Sequence, residues 1–558
     1  MPLPFPPTIL LAIGGLLLTG KPWLRDVRWG ASLWLVAWLY SAYSLAMHGS
    51  TLGDAAARAA VDSVWVVADV LAMSGQWLAL ALGLLFGVGS ISLTSREGAT
   101  PERLGFLSFL IAGVMLVVCA NDAITLALSL EIVQFAVIAL RRMELDARSH
   151  FIPHQVGEFR PSRDEATQWL GIAASLCVWL GLALAASVTA STQFDSMRLV
   201  LAQAYSPGPG RLGIGAGSKL GLLAIGLVVT GISSRMGLVP WQSILSENVR
   251  GVGYWTSGCV VLCSQLAGVL ALARLCGTVW IGFAGELIVL LIVLSATTFA
   301  VAGGLTARSL SQGEGTLRRW LIALTMLHGA WLLIGVLGAT AELAVPENSL
   351  SAATGQPSAL SLLVFSASAS LLGLAGLFLL FNHLARGDRD IEYLDELFGL
   401  GELAPVTATG LMIVLASLIG HPPLWGCSGL WSMQVVGFHV RSVDTTGALS
   451  IAPHPGVIVL LILATLCTLL SAAVVVQFAR VLFLEAPISR IRPQGRRASL
   501  GAGLCVATVL AVVGLVPSKL LVALTTKTDK PLPAAPQEGP LGKTTGSATA
   551  NGVRPRLK

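Results

Sequence analysis

An acidic residue inside a long apolar run is the clearest chemical signal in this chain. Glu131 stands in AITLALSLEIVQFAVIAL, nine residues after Asp122. A charged side chain at the centre of a bilayer costs roughly 3 kcal/mol on insertion scales, so such residues face a protein interior or a wet cavity and find a partner. Two roles fit: a proton or ion site, or a structural ion pair. The natural partner is Arg235, in SSRMGLVPW. Arginine keeps its proton, so it can hold and tune a carboxylate but does not readily pass protons on. His328, in ALTMLHGAW, titrates near neutral pH and can relay a proton, or it can serve as a hydrogen-bonded packing residue. His421, in LIGHPPLWG, offers the same two readings. Gln265 cannot titrate and is expected to hydrogen-bond between helices. Cys259 and Cys263 lie four apart on one helix face, the spacing of a metal clip and equally of two small packing residues; packing is the expected role. There is no CxxC, HExxH, phosphate loop or dinucleotide fingerprint, so neither a soluble catalytic site, a cofactor nor nucleic-acid binding is expected. The chemistry expected of these residues is the movement of an ion.

The elements that carry them follow from composition. Of 558 residues, 54% are hydrophobic and 11% charged, against roughly a quarter charged in a soluble chain. The chain cannot cover itself with polar surface, and lipid is its natural solvent. A bilayer-crossing helix needs about 20 mostly apolar residues, and such stretches follow one another here. They are continuous rather than alternating, which excludes a membrane barrel. Fourteen spans are expected, near 5–19, 29–47, 70–93, 104–120, 123–140, 165–188, 217–238, 252–275, 279–304, 320–340, 358–384, 402–420, 455–480 and 499–518. The stretch 425–440, after Pro422 and Pro423, reads as the second half of a broken twelfth helix. The apolar run at the start of the chain is read as the first span rather than a cleaved signal, because no basic residue precedes it. Loops after odd-numbered spans hold twenty-one basic residues, and those after even-numbered spans five. Basic residues beside spans stay in the cytoplasm, so the odd loops are expected inside and both termini outside. The tail from 526, rich in Pro, Gly, Thr and Ala, is expected to be disordered.

Helix-breaking signals fall at Gly237–Pro240 in the seventh span and Gly420–Pro423 in the twelfth. They lie five spans apart, hence in helices of opposite direction, the pattern of inverted repeats with discontinuous helices at an ion site. Glycine and proline are also simply common in membrane helices.

In their order along residues 60–485, these motifs resemble the antiporter-like membrane subunits of respiratory NADH:quinone oxidoreductase, complex I, and within them subunit N. Asn121, Asp122 and Glu131 resemble that family's AsnAspLeu…Glu in the fifth helix. Gly231–Trp241 resembles its Gly-x-x-x-Lys-x-Gly-x-x-Pro-Phe. Ser246, Glu247 and Gly251 fall where subunit N has ProAsp…Gly, and Arg318, Arg319 and His328 where it has LysArg and SerIleAlaHis. Leu418–Gly426 resembles LeuAlaGlyIleProProLeuAlaGly.

The resemblance implies an all-α integral membrane protein of about fourteen spans with two inverted five-helix repeats and broken helices seven and twelve. The implied divisions are 1–100 (spans 1–3), 101–276 (first repeat, spans 4–8), 277–485 (second repeat, spans 9–13), 486–525 (span 14) and the tail 526–558. It implies a proton path through Glu131, Arg235, His328, Glu247 and His421, with redox cofactors in other subunits. The implied partners are the other membrane subunits of a respiratory NADH-quinone oxidoreductase and the lipid bilayer, and the implied location is the inner (plasma) membrane. The family's lysines of the seventh, eighth and twelfth helices are replaced by Arg235, Gln265 and Leu430, and that of the sixth falls near Trp169; between residues 22 and 518 the only lysine is Lys219. Gln and Leu cannot do what a buried lysine of lowered pKa does. The chain is therefore expected to contribute to proton translocation through a depleted path. The alternatives are a non-conducting scaffold, or a cation/proton antiporter or membrane hydrogenase subunit of the same fold.

Overall fold

The computed structural model describes residues 6–19, 27–51, 69–91, 100–151, 161–205, 216–311, 317–344, 357–385, 390–443, 449–486 and 497–517. The tail from 526 lies outside the described residues. So do several residues in the charge count, among them Lys21, Arg96, Arg160 and Arg490.

The helices are α1 (Pro6–Thr19), α2 (Val27–Thr51), α3 (Val70–Ile91), α4 (Thr100–Cys119), α5 (Ala123–Phe151), α6 (Pro161–Thr189), α7 (Phe194–Tyr205), α8 (Ala216–Ser233), α9 (Gln242–Val249), α10 (Tyr254–Thr278), α11 (Ala284–Ser311), α12 (Leu317–Ala344), α13 (Ala359–Leu384), α14 (Pro405–Leu418), α15 (Trp425–Phe438), α16 (Pro455–Phe483) and α17 (Arg497–Leu515). Twelve expected spans are each one helix; the seventh is α8 plus α9 and the twelfth α14 plus α15. Among the described residues, ten helices are long and apolar enough to cross a membrane. The other expected spans start with α1, α8 and α14, which are shorter, and α2, which is long but rich in Trp, Tyr and Ser.

Three features are additional to the sequence reading. α5 runs eleven residues past 140, so Arg141 and Glu144 belong to a helix and not to a loop. The short helix α7 follows α6. Two short antiparallel strands, β1 (Arg441–Val443) and β2 (Leu449–Pro453), are the exception to helix among the regular elements of the described residues.

Packing sorts the helices by burial. The apolar windows of α10 and α12 are 100% buried and that of α13 is 89% buried, whereas those of α6, α11 and α16 are 39% buried. The first three therefore form the centre, and the others face lipid on one side. α10, α12 and α13 pack on one another, α8 lies along α6, α11 lies between α12 and α16, and α17 closes on α13. Chemically bland helices occupy the middle, so the few polar atoms on them are shielded from both lipid and water.

Asp122 has a local role in this scaffold. Its carboxylate accepts from the backbone N–H groups of Ile124 and Thr125 (2.9 and 3.1 Å), capping α5, while its backbone bridges to Gln193 ahead of α7. The cap satisfies two orphan donors at the helix start and sets where along the membrane normal Glu131 falls.

Candidate functional site

The two helix breaks are the same piece of backbone built twice. In the first, Leu238 N–H donates to the Ser233 carbonyl and Gly237 N–H to that of Ser234; in the second, His421 N–H donates to Ala416 and Gly420 N–H to Ser417. Each is a helix end closed by a left-handed residue, and both left-handed residues are glycine, Gly237 at φ +66° and Gly420 at φ +79°. A proline follows three residues later in each, Pro240 and Pro423, both after a cis peptide bond. By this register Arg235 corresponds to Leu418, and Leu238 to His421.

The first break holds the charges. Arg235 Nη2 lies 3.5 Å from Glu131 Oε1, with the arginine side chain 4% and the glutamate 37% exposed. The same guanidinium donates to Gln134 Oε1 and, at 2.9 Å, to Ser175 Oγ. One turn after the end of α8 thus ties α5, α6 and α8 together through a single cation. Trp241 Nε1–H folds back onto the Thr230 carbonyl at 2.7 Å, fixing the exit of the break. Gln134 and Ser175 do not stand out in the sequence; Gln134 follows Glu131 by three residues and so shares its helix face.

Toward the second break the polar groups continue through the bundle centre. Gln265 on α10 is fully buried and donates to the Thr325 carbonyl of α12 at 3.1 Å. Gly329 makes room for it, since a Cβ there would lie 2.6 Å from Gln265 Nε2. His328, one residue before that glycine and 2% exposed, places Nδ1 3.2 Å from Ser370 Oγ of α13, with the Leu418 carbonyl beside its ring. Gln265 Oε1, His328 Nε2 and Ser366 Oγ are buried with no protein partner. Buried polar atoms are nearly always hydrogen-bonded, and three such orphans suit bridging water. Leu430, 8% exposed, packs over the second break: a Cβ on Gly420 would sit 2.9 Å from Leu430 Cδ1. An apolar side chain occupies the place where the resemblance puts lysine.

Two of the expected site residues lie apart from the groups just described. His421 is exposed on the outer side of the second break. Glu247 is at the end of α9, 3.8 Å from Arg141 and 3.9 Å from Arg250. Arg141 follows Glu131 by ten residues on α5, so Glu247 lies about 15 Å from Glu131 along that helix.

Glu247 belongs to a second group of charges at the arginine-rich end of the bundle. Glu144 accepts from Gly253 N–H at 2.5 Å and from the Thr256 hydroxyl, capping the first turn of α10. Arg318 pairs with Asp390 at 2.6 Å and donates to the carbonyls of Val249 and, at 2.8 Å, Val252. Tyr254 donates to the Ile391 carbonyl and lies under Arg318, 5.2 Å from ring centroid to guanidinium. At the opposite end of α10, Arg274 pairs with Asp69 and donates to the Val118 carbonyl. Arg103, Arg141 and Arg274 are buried within helices rather than in loops, where the sequence reading placed them. Glu144, Asp390 and Asp69 escaped notice because each sits at a span end, the first two among other charged residues.

Cys259 and Cys263 are both buried on α10, and among the described residues no cluster of His, Cys, Asp and Glu could hold a metal ion.

No protein-family model matches the chain. It is 26% identical over 395 residues to subunit N of NADH-quinone oxidoreductase from Laribacter hongkongensis, covering 68% of this chain and 72% of that one. Its fold matches a chain of respiratory complex I from Thermus thermophilus with bound aureothin at a TM-score of 0.67 and 18% identity, over 93% of this chain and 99% of that one. It also matches a chain of the Mrp complex from Dietzia sp. DQ12-45-1b at 0.66 and 15%, over 93% and 95%. The chain is a multi-pass membrane protein with the fold of the complex I and Mrp antiporter-like subunits, and in sequence it is similar to subunit N of NADH-quinone oxidoreductase.

Proposed function

We propose that this chain is a subunit N-like component of a proton-translocating NADH-quinone oxidoreductase of the inner (plasma) membrane, and that Glu131 is its proton-holding group. The observation that carries the reading is the Glu131–Arg235 pair at a helix break, alongside buried polar atoms on Gln265 and His328 that water can satisfy. Arg235 holds Glu131 in place as its counter-charge, so a change of potential from a neighbouring subunit acts on a fixed carboxylate. His328 accepts a proton at Nε2 while Ser370 orients the ring through Nδ1. Electron transfer belongs to other subunits, and this chain answers it through charge. The exposed second break supports membership of a larger assembly, because non-helical backbone at membrane depth is stable only against protein or water.

The test is the proton-to-electron ratio of the assembled complex carrying Glu131→Gln, which should fall. An unchanged ratio with unchanged assembly would sink the role given to Glu131.

Leu430 over Gly420 favours a second reading, a scaffold that kept the fold without conducting. Leu430→Lys separates the two. If the chain conducts, a lysine at the gap raises the ratio; a ratio indifferent to both Leu430→Lys and Glu131→Gln favours the scaffold.

A further inference from the structure

Two histidines flank β1 and β2, between α15 and α16, and their rings bond in opposite senses. His439 follows the last residue of α15, and its Nδ1 lies 2.8 Å from the Val435 carbonyl. A carbonyl only accepts, so this Nδ1 carries a proton and donates. His454 precedes Pro455, the first residue of α16, and its Nδ1 accepts from Gly456 N–H at 3.2 Å. Here Nδ1 must be bare. One ring is a donor at a helix C-terminus, the other an acceptor at a helix N-terminus.

The backbone ties the two ends together. His454 N–H donates to the Val440 carbonyl at 2.8 Å, and the His454 carbonyl accepts from Val457 and Ile458. The half-buried ring lies over Gly456: a Cβ there would meet Nδ1 at 3.2 Å and Cε1 at 3.3 Å, with Ile292 of α11 at 3.5 Å. The cap therefore sits where the first turn of α16 meets α11. The other charged groups at this end are Glu286 in the first turn of α11, Glu342 in the last turn of α12, which accepts from Ala359 N–H, and Arg441, opposite Pro453 across the two strands. Among the described residues none of these forms an ion pair with either imidazole.

Protonation acts on the two rings in opposite directions. A charged imidazole has two N–H groups and no acceptor. His454 then loses its bond to Gly456 N–H and brings positive charge to the positive end of α16. His439 keeps its donated bond and adds positive charge at the end of α15, where the helix dipole favours a cation. The first bond exists at high pH and is lost as pH falls; the second survives throughout.

We propose that His454 and His439 form a pH-sensitive hinge: acid on the side that the arginine count assigns to the outside releases the first turn of α16 from its cap, while the end of α15 stays closed. The hinge requires neither Glu131 nor a conducting chain.

The experiment is hydrogen–deuterium exchange of the purified complex containing the full chain, expressed as protection relative to unstructured peptide so that the intrinsic pH dependence of exchange cancels. It is read at about pH 8 and about pH 5, the span over which imidazole ordinarily titrates. Protection of the amides of 456–458 should fall roughly five-fold in acid, the ratio expected for a lost helix cap, while that of 439–440 holds. His454→Asn and His454→Asp keep an acceptor without an imidazole, and each should make protection of 456–458 equal at the two pH values; native gels confirm their assembly. Unchanged protection of 456–458 in the unaltered chain, or the same fall in both variants, overturns the hinge. An equal fall at 439–440 overturns the opposition between the two rings.

Discussion

The two broken helices share a backbone and differ in nearly everything attached to it. Both close on a left-handed glycine and turn at a proline three residues on. Yet the first is buried from Gly231 to Leu238 and clamps a cation, while the second exposes His421, Pro422 and Pro423 and carries Leu418 where its counterpart has Arg235. The helix facing each break follows suit: α5 offers Glu131 to Arg235, with Ser175 on the neighbouring α6, and α12 offers His328 to the Leu418 carbonyl, with Ser370 on the neighbouring α13. The repeated geometry supports two repeats of the kind the resemblance implies, one keeping charge at its break and the other keeping polar atoms without it. The backbone motif sets where a site can be; the side chains at positions 235 and 418 decide whether it holds an ion.

Substitutions at the breaks test that contrast. The largest effect is expected from Arg235→Leu, which leaves Glu131, Gln134 and Ser175 facing an apolar side chain. The cation is buried while Glu131 is 37% exposed, so its loss should cost about 3 kcal/mol, the low end for a buried pair; assembled complex on native gels should fall, while Arg235→Lys should preserve assembly. If Arg235→Leu assembles normally, the first break is not held by charge. Next come the glycines. Alanine at 237 needs an unfavourable φ and puts its Cβ 2.7 Å from that of Leu245, so it should cost about 2–3 kcal/mol. At 420 the nearest atom is the mobile end of Leu430, and about 1–2 kcal/mol is expected. Thermal unfolding of the two variants side by side checks the order, and a reversed order would remove the difference in burial as its cause. The smallest effect on the chain itself belongs to His421→Ala, under about 0.5 kcal/mol, since the side chain is exposed. Its effect should appear in the yield of complex, read by co-purification.

Much of this was legible in the sequence. Long apolar runs specify helices in lipid with little ambiguity, because no other backbone satisfies itself there, and Gly237 with Pro240 and Gly420 with Pro423 announced both breaks. The partnership of Glu131 and Arg235, 104 residues apart, could be proposed because each was anomalous in its own surroundings. The partners of ordinary type were hidden: Gln134, Ser175 and Ser370 are unremarkable in membrane helices until a neighbour approaches. Glu144, Asp69 and Asp390 were hidden for the opposite reason, since a charge near a span end looks solvated whether or not it is capping or pairing. Burial was the other hidden quantity. His328 and His421 look alike along the chain, and only the packing of α12 against α13 puts one in the core and the other on the surface.

The exposed corner at His421–Pro423 also bears on how the cell counts its subunits. A copy inserted alone presents to acyl chains a stretch where two prolines carry no N–H and several carbonyls have left the helix ladder, a surface that lipid solvates badly. Under the proposed membership of a complex, the unassembled chain is the less stable form in the membrane, and membrane proteases that sample loosened backbone would clear surplus copies first, so that the abundance of this chain would follow that of its partners.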